Sequence, residues 1–173
     1  MNSKTFLLAA GVVPGLAACS AVTPMPMPVP EALRPGPGAT LALSASARGV
    51  QIYECRGSQW SLVAPQAGLF DATGRTIGTH GAGPHWQASD GSRVVGSVTA
   101  RADAPVADAI PWLLLAARPG GETPTAAGLL MGITQIQRVN TAGGSAPAGT
   151  CPTAGQTLRV PYSADYHFYK SQS

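Results

Sequence analysis

Glycine and proline punctuate this chain too densely for long helices: 21 Gly and 16 Pro stand among 173 residues, and either one inside a helix costs stability. Between these breaks apolar residues alternate with their neighbours. Leu41 and Leu43 alternate with small or polar residues, Val50 and Ile52 with Gln51 and Tyr53, Trp60 and Leu62 with Ser61 and Val63. Val94 and Val98 alternate with Arg93, Ser97 and Thr99. Toward the end Leu158, Val160 and Tyr162 alternate with Thr157, Arg159 and Pro161, then Tyr166 and Phe168 with His167 and Tyr169. Period two over short runs is the pattern of antiparallel strands. The turns Asp71-Ala72-Thr73-Gly74 and Ser89-Asp90-Gly91-Ser92 read as hairpin tips, because Asp bonds its own backbone and Gly supplies positive φ. Residues 110–117 are more continuously apolar, as in a buried central strand. Residues 129–139 mix alternation with a three-residue spacing and read as a further strand. The expectation is one all-β domain over residues 39–173: an antiparallel β-sandwich or small barrel of roughly eight to ten short strands, with little helix.

With 45% hydrophobic residues the chain can build a core and is not disordered as a whole. A formal charge of +3 without a basic tract argues against nucleic acid as a partner. Three Trp, four Tyr and three Phe are too few for the two aromatic girdles of an outer-membrane barrel. No cofactor motif is present.

The N-terminus carries an address. Lys4, an apolar run over residues 6–13 and then Leu16-Ala17-Ala18-Cys19 form a secretory signal peptide, residues 1–18, too short for a permanent membrane span. Small residues before a cysteine resemble the lipobox of bacterial lipoproteins. That resemblance implies acylation at Cys19 and anchoring by two or three chains, where one chain binds only marginally. Ser20 after the cysteine implies sorting to the outer membrane of a Gram-negative envelope. With Cys19 lipidated, Cys55 and Cys151 remain as a pair for an oxidising compartment; a reactive thiol is the competing reading. Residues 21–38 hold six prolines, so residues 19–38 read as a lipidated cysteine and a semi-rigid spacer of polyproline character.

Several blocks together resemble the domain-of-unknown-function family 3455. They are Gly49-Val-Gln-Ile-Tyr-Glu-Cys55, Ile77-Gly-Thr-His80, Gly83-Pro84 with Trp86, Asp90-Gly-Ser92, Ile110-Pro-Trp-Leu-Leu-Leu115, Ile136-Gln-Arg-Val-Asn-Thr141 and Pro161-Tyr-Ser-Ala-Asp-Tyr166. The resemblance implies a secreted or lipid-anchored protein and brings no activity, substrate or catalytic residue.

The densest chemistry lies at Thr79-His80-Gly81-Ala82-Gly83-Pro84-His85-Trp86, with Asp90 following. His80 and His85, with Asp90 or His167 as a further ligand, are the candidates for Zn²⁺ or Cu²⁺, although their spacing matches no specific zinc motif. The competing reading has these imidazoles bonding nearby carbonyls. His80, Asp90 and Ser92 offer a nucleophilic triad, and Glu54 with Asp71 a glycosidase pair; turn and strand-end roles explain both sets equally well. Trp60, Trp86, Trp112, Tyr162, Tyr166 and Tyr169 offer an aromatic face, with Trp86 expected to be the best exposed.

The reading is a lipid-anchored binding or structural module of the envelope, with no catalytic residue assigned. Its partners are the membrane and an envelope polymer, small molecule or protein. His80, Trp86, Arg138 and Asn140 are the candidate ligand contacts. A metal-binding or hydrolytic enzyme centred on His80 is the rival. His80 is expected to titrate near its ordinary pKa of about 6.5. A ligand-contacting His80–Trp86 pair should be close together and partly exposed, a structural pair enclosed or far apart.

Overall fold

The computed structural model describes residues 27–120 and 128–172. The leader 1–18, Cys19 and the start of the spacer lie outside the described residues. Eight strands follow one another: β1 (Ala39–Arg56), β2 (Gln59–Phe70), β3 (Thr76–Gly81), β4 (His85–Ala88), β5 (Arg93–Ala102), β6 (Trp112–Pro119), β7 (Ile133–Gly143) and β8 (Thr157–Ser171). Each pairs antiparallel with the next, and β8 returns to β1, from Ala39 opposite Ser171 to Glu54 opposite Thr157. The result is a closed up-and-down barrel, so the barrel alternative holds and the sandwich does not. Both expected hairpin tips are present. Asp71 accepts hydrogen bonds from the backbone N–H groups of Thr73 and Arg75, and Asp90 from that of Ser92.

The first two expected runs, at Leu41 and Val50, are one strand of 18 residues. It stays continuous because it bends: a bulge falls at Ile52/Tyr53, and at Gly49 a Cβ would lie 2.1 Å from the Gln66 carbonyl oxygen. Only glycine permits that approach of β1 to β2.

Small residues widen the barrel and large ones fill one end of it. Ala45, Ala47, Ala67 and Ala164 face the interior with Leu69, Val94, Ile136 and Phe168, all buried in one cluster. A second cluster lies outside the barrel wall, where Leu33 is fully buried against Trp112 and Val139. A one-turn 3-10 helix, Glu31–Leu33, delivers that leucine. The Gln137 Nε2 donates to the Leu33 carbonyl at 2.7 Å, and Gly36 N–H donates to Gln135 Oε1 at 3.0 Å. Thus the described end of the expected spacer is docked across β5, β6 and β7. Pro30 and Arg34 keep extended, polyproline-like backbone (φ −53°, ψ 144° and φ −72°, ψ 136°) around the helical turn.

Candidate functional site

Eight strands enclose just enough space for side chains or one small ligand. Here packing occupies one end, and a cavity of about 540 Å³ occupies the other. It lies among the β1–β2, β3–β4, β5–β6 and β7–β8 connections, and Leu62, Val63 and Val98 stand exposed beside it. Cys55 and Cys151 form the expected disulfide, 96 residues apart in sequence. It ties the end of β1 to the β7–β8 connection, which supplies Ser145 and Ala146 to the cavity wall.

His80 and Trp86 face each other across the β3–β4 pair and meet inside the barrel. Their rings stack with centroids 4.4 Å apart and 12° between planes, and Tyr166 sets its edge against both, at 5.2 and 5.4 Å. Gly96 makes room for this stack, since a Cβ there would stand 2.8 Å from the Trp86 ring. The expected proximity is therefore present. The expected exposure is not: His80 is 3% and Trp86 1% accessible. Both stand on inward positions of short strands, so they line the cavity from within instead of presenting a surface.

The His80 Nδ1–H donates to the His85 carbonyl at 2.8 Å, because a carbonyl only accepts; Nε2 is left as an acceptor. Burial pushes the His80 pKa down to about 3, against the bond to the His85 carbonyl, which raises it, and the Arg138 charge lowers it further. The expectation of a titration near 6.5 is overturned by this desolvation. Arg138 lines the same cavity, its Nε and Nη2 donating to the Pro111 carbonyl at 3.1 and 2.8 Å.

The other candidates are not brought to this place. Asn140 is exposed, has φ 50°, and donates from Nδ2 to Asp165 at 2.9 Å. His85 faces outward beside Gly81 and donates from Nδ1 to the Ala82 carbonyl at 2.7 Å, while His167 bonds Ser44. Asp90 and Ser92 bond each other and the backbone N–H groups of Leu129 and Leu130 in the connection before β7. Hence neither the metal set nor the triad converges on His80, and among the described residues no three of His, Cys, Asp and Glu come together. Glu54 pairs with Arg56 at one end of the β1–β2 hairpin, while Asp71 at the other bonds Thr73 and Arg75. They form no glycosidase pair. The aromatic face divides as well: Trp86, Tyr162 and Tyr166 are interior, whereas Trp112 lies outside the wall under Leu33.

Sequence reasoning missed Gln51 and Tyr53. Their neighbours Val50 and Ile52 are the apolar members of the run, yet Gln51 and Tyr53 are the buried ones and line the cavity. The signal available was Gln51-Ile52-Tyr53 itself, where inward and outward sets are both half polar. Tyr53 donates its hydroxyl to the Gly144 carbonyl at 2.6 Å. Among the described residues the Gln51 Nε2 and Trp86 Nε1 are buried without a hydrogen-bond partner, as is the Trp112 Nε1 outside the wall, whereas the Tyr166 hydroxyl lies against Tyr162 and Arg138. Apolar walls with a few convergent polar side chains, here Gln51, His80 and Arg138, are the usual make-up of a small-molecule site.

A family model described as "Protein of unknown function (DUF3455)" matches residues 35–170. No curated protein and no solved structure matches the chain. The match runs from just ahead of β1 almost to the end of β8 and includes every cavity residue named above, so this chain belongs to the DUF3455 family of proteins of unknown function.

Proposed function

We propose that this protein is a lipid-anchored envelope protein whose barrel binds a small molecule without transforming it. The single observation that carries the reading is the cavity: apolar walls from Ile110, Leu113 and Leu115 surround a few inward polar side chains, Gln51, His80 and Arg138. His80 supports binding over catalysis, because an imidazole held near pKa 3 is a weak base at neutral pH and a good hydrogen-bond acceptor. The leader, the lipobox resemblance and the disulfide support an envelope address, with the Cys19 lipid as the contact to the outer membrane.

The test is a fluorescence titration of the mature protein with the neutral probe 1-aminoanthracene. One saturable site per chain is expected. Val98→Trp, at an exposed position beside the cavity, should remove that site and leave the melting temperature unchanged. No saturable binding in the wild type, or unchanged affinity in the variant, overturns the reading.

A further inference from the structure

We propose that the cavity takes a small organic acid, a monoanionic amphiphile whose carboxylate is held by Arg138 and whose apolar body lies against Leu113, Leu115 and the His80–Trp86 stack. This rests on the binding reading above and specifies its ligand.

Charge is the first argument. The Arg138 guanidinium is half-buried, and its bonds to the Pro111 carbonyl orient it without neutralising it. Among the described residues the ion pairs are Arg34–Glu31, Arg56–Glu54 and Arg75–Asp71, and none of the described carboxylates lines the cavity. A guanidinium in a partly desolvated site without a counter-ion favours an anion, and its planar fork matches a carboxylate. Arg101, the other cation at the cavity, is exposed to water. One shielded positive charge suits one negative charge.

Hydrogen-bond polarity is the second argument. Gln51 and Trp86 line the cavity, and their buried donors Nε2 and Nε1 have no acceptor among the described residues. The Tyr166 hydroxyl lies against Tyr162 and Arg138, and burial raises its pKa so that it keeps its proton. A carboxylate only accepts and offers about four lone-pair sites, which suits the Arg138 end of the cavity. The remaining lining is chiefly aliphatic and aromatic, matching an apolar body.

The test is calorimetric titration of the mature protein with decanoate and 2-naphthoate, each against its neutral alcohol, and with decyl phosphate. Each acid should bind at least about tenfold tighter than its alcohol, as charge-assisted hydrogen bonds allow. Added salt should weaken the acids alone. Arg138→Gln should erase the acid preference and spare the alcohols. Should that variant lose its melting transition, Arg138→Lys, which keeps the charge, and the salt series on the wild type decide. Acids and alcohols binding alike overturn the anionic ligand and leave the binding cavity standing. Decyl phosphate binding tighter than decanoate overturns the carboxylate. No binding by any probe removes the cavity reading and this inference together.

Discussion

His80 sits where composition alone would place a pH sensor, and burial removes that role. In the folded protein it stays neutral until the pH nears 3, while in the unfolded chain the same imidazole takes a proton near 6.5. Between those values the unfolded state binds more protons, so stability falls as the pH drops through this window and is unaffected above it. By pH 4.5 the loss is about 2–3 kcal/mol, at 1.36 kcal/mol per pKa unit. Asp71, pulled down to about 2 chiefly by the Thr73 hydroxyl, contributes stability that is lost only as the pH falls below the ordinary carboxylate range. Glu54 and Asp90 are lowered too, by Arg56 and Ser92 respectively. Urea unfolding of the wild type should therefore weaken steadily from pH 6.5 to 4.5, and His80→Gln should be nearly flat there. An equal slope in both would mean that His80 is not held neutral. At this scale the sequence shows that His80 and Trp86 belong together, since a glycine-rich turn joins them. It does not show their burial, because a histidine faces a cavity or solvent with the same alternation. Gln51 is illegible for a related reason: period two locates the two faces, and apolar content normally identifies the inner one. A cavity with polar groups inside removes that second cue.

Strands that bury both faces explain the other difficulties. In β7 Ile133 and Ile136 both reach the core although three residues apart, because the register shifts between Ile133 and Gln135. Val139 faces outward and is buried by Leu33, so 129–139 shows neither clean alternation nor a helical stripe. Conversely, the hairpin tips at Asp71 and Asp90 were legible, since their side chains close the turns by local bonds that need no tertiary partner. The proline-rich run predicts extended backbone correctly at Pro30 and Arg34, yet its docking depends on one apolar residue, Leu33, meeting a surface made by distant strands. Leu33→Ala should cost about 2–5 kcal/mol, the range for truncating a fully buried leucine. Denaturant unfolding measures this. A change under about half a kcal/mol would mean that the segment only rests on the barrel.

On the scale of the whole molecule, the all-β class and a strand number near eight follow from alternation and turn residues. Closure is a choice between sandwich and barrel that local patterns do not make; it rests on β8 pairing with β1 along nearly their full lengths. The Cys55–Cys151 bridge, anticipated from cysteine arithmetic, holds one cavity wall to the end of β1. The proposed anchor makes its own prediction: Cys19→Ala should abolish acylation and move the protein from the membrane fraction to the soluble one. Full retention on membranes would remove the anchor. The most direct measurement of the binding cavity follows the three tryptophan indole N–H signals by nuclear magnetic resonance during titration with 1-aminoanthracene. Trp86 lines the cavity, Trp112 lies outside the wall, and Trp60 stands near the β1–β2 tip opposite Cys55. Occupancy of the barrel should shift the Trp86 signal saturably and leave the other two nearly still. Saturable shifts of Trp60 or Trp112 with Trp86 unmoved would contradict a ligand site inside the barrel.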